Sequence, residues 1–208
     1  MSNHLSSVPT NIKKRESLLT VTMFILLGLA VLVAGYLVML YNNLVALKHR
    51  VAKAWANIDV LLKQRHDELP KLIETCKQYM SHERETLEQV ISARNSVASA
   101  SDNQDMTTLG QAETQLRSGL GRLFALAENY PDLKANESFQ HLQGRISGLE
   151  NGIADRRELY NDAANINNTR IEQFPDVVIA HRFNFKAHDL LEFSEAEISD
   201  IDVKALFS

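Results

Sequence analysis

The stretch LLTVTMFILLGLAVLVAGYLVMLY, Leu18 to Tyr41, decides the architecture. No charged side chain occurs between Glu16 and Lys48. Before Tyr36 the only polar side chains in the stretch are Thr20 and Thr22, whose hydroxyls can bond back to helix carbonyls. As a helix these 24 residues rise roughly 36 Å, enough to cross a ~30 Å hydrocarbon layer with some tilt. Tyr36 and Tyr41 fall where an interfacial aromatic belt forms. A buried core helix rarely holds so long an unbroken apolar run, and a cleaved signal peptide has a shorter one. Leu32-Val33-Ala34-Gly35 looks like the start of a lipoprotein cleavage box, but Tyr36 stands where the acylated cysteine must be. The reading is a retained N-terminal anchor, with the lipid bilayer as partner through Leu18 to Tyr41. Lys13, Lys14 and Arg15 flank one end, and Lys48, Arg50 and Lys53 the other. The first cluster sits closer to the apolar edge, which leans toward the remainder of the chain lying outside the cytoplasm.

Composition narrows the class of that remainder. Gly 8 and Pro 4 in 208 residues are too few for the frequent turns of an all-β sandwich or barrel. A net charge of −4 argues against nucleic acid, whose binders usually carry a basic stripe. Cys76 is the only cysteine, which excludes an internal disulfide and a cysteine-based zinc site.

Past Tyr41 apolar residues recur at three- and four-residue steps: Val51, Trp55, Ile58, Leu62, Leu69, Leu72, Cys76, Tyr79, then Leu87, Val90 and Val97. This is the period of an amphipathic helix, interrupted by Arg65 and His66. The stripe keeps its phase across Pro70, seven residues from Leu62 to Leu69 and seven more to Cys76, which favours a kinked continuous helix over a turn. Ser99 to Asp105 reads as the first loop, with Asp105 or Thr107 capping a second helix. That helix carries Leu109, Leu116, Leu120, Leu123 and Tyr130 and stops at Pro131. A third, capped by Asn136, carries Phe139, Leu142, Ile146, Ile153, Tyr160 and Ile171 and stops at Pro175. Straight, these helices would measure about 85, 37 and 57 Å, so the first must bend into packed segments or leave its membrane-proximal part for a partner. Val177 to Ile179, Phe183, Phe185 and Leu190 to Phe193 look like an extended segment folding back on the bundle. The expectation is an all-α protein: an N-terminal transmembrane helix followed by a bundle of three to four long helices. The domains would be an N-terminal tail 1–17, the span 18–41, the bundle 42–193 and an acidic C-terminal tail 194–208.

Tyr41-Asn42-Asn43-Leu44-Val45, the run from Ala54-Trp55-Ala56-Asn57 to Glu68-Leu69-Pro70, and Arg122-Leu123-Phe124-Ala125 leading into Ala127-Glu128-Asn129-Tyr130-Pro131-Asp132-Leu133 resemble the LemA family of bacterial membrane-anchored proteins. Glu150-Asn151, Ile153-Ala154, Tyr160-Asn161 and Phe174-Pro175 extend the resemblance over about Tyr41 to Phe193. It departs from the family pattern at Gly152, where arginine is common, and at Ile166, where a second tyrosine is usual. The resemblance implies a membrane helix and an antiparallel helical bundle in the bacterial inner membrane, and brings no established catalytic residue.

The residues themselves offer few candidates for chemistry. A dinuclear metal site in a bundle needs two Glu-x-x-His pairs and two more carboxylates. Here Glu137 and His141 are four apart, and His82 precedes Glu85 in the reverse order, so no metal or cofactor is expected. His66 beside Asp67 and Glu68 has the make-up of a proton-transfer group, or of a polar patch beside a kink. Cys76 sits on the apolar stripe and reads as a small hydrophobe. Arg65 and Arg94 read as partners of buried carboxylates such as Glu83, fixing helix register. Asn161, Asn165, Asn167 and Asn168 either set alignment or form a polar groove for a peptide or partner helix. Trp55 reads as a packing anchor. With no convergent catalytic set, the expected function is a non-enzymatic membrane-anchored scaffold that binds protein partners or self-associates through its helix faces. The competing reading, a hydrolase or a peptidase-associated accessory protein, has its site between helices and requires His66, Asp67 and Glu83 or Glu85 around one pocket.

Overall fold

A computed structural model describes residues 10–193 of the chain, with side chains from residue 14. Six helices and no strand occur among the described residues. They are α1 (Thr10–Tyr79), α2 (Arg84–Asn103), α3 (Met106–Ala127), α4 (Pro131–Lys134), α5 (Glu137–Glu172) and α6 (Asp176–Arg182). The four long helices alternate in direction: Asp59 meets Ser101 of α2, Gln89 meets Arg122 of α3, and Glu68 meets Arg145 of α5. This is an up-down-up-down antiparallel bundle, as the family resemblance implies.

α1 is unbroken for 70 residues, and Pro70 lies inside it on an exposed face. Its first part carries the apolar stretch, where large side chains from Leu18 to Met39 are 42–71% exposed. That exposure excludes a core helix and suits a hydrocarbon surround. From Leu40 onward the same helix enters the protein and becomes the spine of the core, burying Leu62, Leu69, Leu72 and Cys76 completely or nearly so.

The first reversal falls at residues 80–83, not at Ser99–Asp105. The short turn leaves the seven-residue beat of Cys76, Val90 and Val97 in phase, so the stripe runs on as though the helix did. α2 continues through Ser99 to Asn103 because Ala100 and Ser101 are small and buried against the bundle. The next turn is a single left-handed residue, Gln104 (φ 53°), with the Asp105 amide donating to the Ala100 carbonyl at 3.1 Å. Asp105 then caps α3, accepting from the Thr108 amide at 3.0 Å. Pro131 opens α4 rather than merely ending α3, and Asn136 caps α5 by accepting from the Phe139 amide at 3.1 Å.

The reversal at 80–83 resolves the length problem. Residues 42–79 of α1 rise about 57 Å and the 36 residues of α5 about 54 Å, so the two run side by side. The α2–α3 hairpin covers only the half of α1 far from the apolar stretch. The near half, Leu40 to Ile58, is covered by α5, α6 and the segment 183–193. Val177 to Ile179 belong to α6, not to an extended segment; only 183–193 is irregular, and it folds back along α5. A second small core of Leu40, Leu44, Ile179 and Ala180 joins α6 to the end of the apolar stretch. Residues 194–208, the expected acidic tail, lie outside the described residues.

Candidate functional site

Two polar constructions interrupt the apolar packing. The first grows from Pro70. Proline has no N–H, so the carbonyl of His66, one turn back, loses its helical partner. The Arg94 Nε–H of α2 fills the vacancy at 3.0 Å. The same guanidinium places Nη2 2.6 Å from His66 Nε2. A guanidinium only donates, so Nε2 accepts and the imidazole is neutral with its proton on Nδ1. Burial, then the Arg94 charge, hold the His66 pKa below its ordinary value. His66 Nε2 is thus already engaged, by Arg94 of the neighbouring helix.

One residue earlier, Arg65 is 1% exposed and reaches the other side of the bundle. Its Nη2 donates to Oε1 of Glu113 on α3, itself 3% exposed, and Nη1 lies 3.8 Å from Glu150 on α5. Three helices therefore converge on one guanidinium. A buried charge set of this kind fixes register, since a slip of any helix strands a charge in low dielectric. The partners differ from the expected ones: Glu83 instead accepts from the Tyr130 hydroxyl at 3.2 Å, far along the bundle. Beside these groups lies a cavity of about 210 Å³ walled by Leu62, Leu69, Val97 and Leu116, with Lys63, His66 and Arg94 also lining it. Asp67 and Glu85 are exposed and do not line it, so His66, Asp67, Glu83 and Glu85 are not brought together.

The second construction is a clamp. Asn161 donates from Nδ2 to the Leu191 carbonyl at 3.1 Å and accepts from the Leu191 amide at 2.9 Å. Asn168 does the same with His188, at 2.8 and 2.9 Å. The two asparagines are two turns apart, about 10.5 Å of helix, and three extended residues from 188 to 191 span about 10 Å. The spacings match, so two side-chain amides pair with the segment as a neighbouring strand would. Asn167 adds a bond to the Lys186 carbonyl at 3.1 Å, and the Tyr160 hydroxyl one to the Asp189 carbonyl at 2.9 Å. Asn165 is exposed and takes no part. The groove reading of these asparagines is the closer one, and the peptide in the groove is the chain's own segment 186–192. Gly110 of α3 is the other wall: a Cβ there would stand 1.9 Å from the Glu192 carbonyl oxygen. Arg157 stacks on Phe193 beyond it, 3.9 Å from the ring centroid.

The other candidates are structural or lie on the surface. Trp55 packs edge-on to Tyr160 with ring centroids 6.0 Å apart. Cys76 is buried and desolvation pushes its thiol up to about 12, so it stays protonated. His82, Glu85, Glu137 and His141 are not buried in the core. Among the described residues no three His, Cys, Asp or Glu side chains gather as a metal site would require. Gly152 accommodates Leu61, 3.3 Å from where a Cβ would sit, and Ile166 is 50% exposed.

The LemA family profile matches residues 54–205. Protein LemA of Metamycoplasma hominis is 27% identical over 165 residues, 79% of this chain and 74% of that protein. Magnetosome protein MamQ 2 of Paramagnetospirillum magneticum is 33% identical over 88 residues, 42% of this chain and 32% of that protein. Magnetosome protein MamQ of Magnetospirillum gryphiswaldense is 33% identical over 67 residues, 32% of this chain and 25% of its own length.

Proposed function

The chain belongs to the LemA family, and on that premise we propose that it is a membrane-anchored helical scaffold of the bacterial cell envelope, without catalytic activity, whose work is positional. The observation that carries this reading is the continuity of α1 from the exposed apolar stretch into the core. Anchor and spine are one rigid element, so the bundle is held at a set height and orientation. Confinement to the bilayer surface raises its effective concentration for neighbouring membrane proteins. Contacts come through helix faces; Val60, Leu159 and Ile166 are large apolar side chains at least half exposed on α1 and α5. Part of this chain is also similar to proteins named for magnetosomes, which suits a shared architecture put to different uses. On this reading the membrane is the inner one, and the N-terminal basic cluster, closer to the apolar edge, leans toward the bundle lying outside the cytoplasm.

Crosslinking in native membranes followed by affinity purification tests the reading. A reproducible membrane-protein partner, or a second copy of the chain, lost on Leu159→Ser with Ile166→Ser, is the expected result. Recovery of the chain alone, or its release into the soluble fraction without detergent, contradicts it. Protease accessibility in spheroplasts checks the orientation.

A further inference from the structure

We propose that the membrane-facing end of the bundle holds a seat for the phosphate headgroup of an anionic phospholipid, between α1 and the segment after α6; this rests on the anchored reading above. The height is set by packing. Leu40, in the last turn of the apolar stretch, is buried with Leu44 against Ile179 and Ala180 of α6. α6 and the end of α5 therefore lie at the level where hydrocarbon gives way to headgroups. At that level the protein turns apolar side chains outward: Phe174 is 84% exposed, Val178 57% and Phe183 55%. In water alone these would be costly, whereas at a membrane interface they are anchors.

Beside them a cavity of about 580 Å³ is lined by Tyr41, Lys48, His49, Phe183, Phe185 and Lys186, among others. The rings of Tyr41 and Phe183 are 4.8 Å apart and those of Tyr41 and Phe185 5.9 Å, which makes one wall aromatic. The cations make the other. Neither Lys48 nor Lys186 forms an ion pair among the described residues. Lys48 stands near enough to His188 to help lower its pKa, after desolvation. Charge over the wider end points the same way: residues 40–53 and 170–188 hold six Lys or Arg against two acids, in a chain whose net charge is −4. A phosphate oxyanion on a body with acyl chains satisfies both walls at once, with the head on the lysines and the chains beside Tyr41 and the exposed Leu37. A free phosphate satisfies only one.

The test uses the full chain in nanodiscs of equimolar phosphatidylcholine and phosphatidylglycerol, with retained lipids counted by native mass spectrometry. The wild type should retain phosphatidylglycerol over phosphatidylcholine. Lys48→Gln with Lys186→Gln should lower that preference by roughly fivefold for each lysine removed, while Lys48→Arg with Lys186→Arg restores it. Lys71→Gln with Lys77→Gln, the same charge loss at the far end, should leave it unchanged. Equal retention of the two lipids by the wild type, or an equal loss in the far-end variant, overturns the seat and leaves the anchor standing. Displacement of the bound lipid by excess inorganic phosphate overturns the lipid assignment in favour of a soluble anion. A chain that does not enter nanodiscs overturns both.

Discussion

The two halves of the bundle are held together by different physics. Far from the apolar stretch, four helices bury a continuous run of Leu, Val and Ala, broken by one charged layer at Arg65, Glu113 and Glu150. Near it, α1 and α5 lack the α2–α3 hairpin, and an irregular segment takes its place, tied down by asparagine side chains and a glycine contact. The far half is a packed core whose failure is global. The near half is a laced surface held by a few side-chain hydrogen bonds, so its failure should be local.

Breaking the charged layer should have the largest effect. Glu113→Ala leaves the Arg65 guanidinium buried without its nearest partner and should cost about 3–5 kcal/mol, read as a drop in the midpoint of denaturant unfolding for the whole bundle. A cost below about 1 kcal/mol would mean that Arg65 is solvated and the layer is not a register device. Where the N-terminal end of α3 meets the near-half segment, Gly110→Ala places a methyl group against the Glu192 carbonyl. It should cost about 1–3 kcal/mol, and the loss should be local, with proteolysis of the segment after Phe183 accelerated while the α2–α3 hairpin stays protected from hydrogen exchange. Global loosening would erase the distinction between the halves.

The smallest effect sharpens the comparison through pH. His66 in the far half and His188 in the near half both have folded-state pKa values lowered by burial, with a cation, Arg94 or Lys48, adding to it. A group with its folded pKa below the unfolded value of about 6.5 binds its proton better in the unfolded chain. Its neutral form is fully compatible with the fold above that pH, and stability is lost as pH falls below it. The melting temperature should therefore fall on acidification below about pH 6.5. His66→Asn should flatten the global transition, whereas His188→Asn should flatten only the acid-induced opening of the 183–193 segment.

Much of this architecture was legible in the residues, and the failures have identifiable causes. Seven-residue spacing through Leu62, Leu69 and Cys76 showed correctly that the helix passes through Pro70. The same regularity concealed the reversal at 80–83, which contains neither glycine nor proline and preserves the stripe's phase. Ser99 to Asn103 resembled a loop by composition, yet its inward positions are small, and small polar residues pack in a close helix pair as readily as they line a turn. Arg65 was visible as a break in the stripe. Its partners Glu113 and Glu150 were not, because each looks like any surface carboxylate until the helix faces are assembled. The asparagines of α5 announced a polar groove, but nothing in their spacing along one helix says that an extended segment with a matching repeat lies twenty to thirty residues downstream. Gly110 carried no signal at all: its role exists only where another part of the chain crosses it.

The central claim is that one uninterrupted helix carries the bundle upright from the bilayer. Single fluorophores attached at Lys48→Cys and at Lys77→Cys, each with Cys76→Ala, in the full chain in vesicles containing a headgroup acceptor, measure it directly. The 29 helical steps from one label to the other should separate their heights by about 44 Å, so energy transfer should be strong at the first and nearly absent at the second. Comparable transfer from both would put the bundle flat on the surface or break α1 at the membrane, and the account would be wrong.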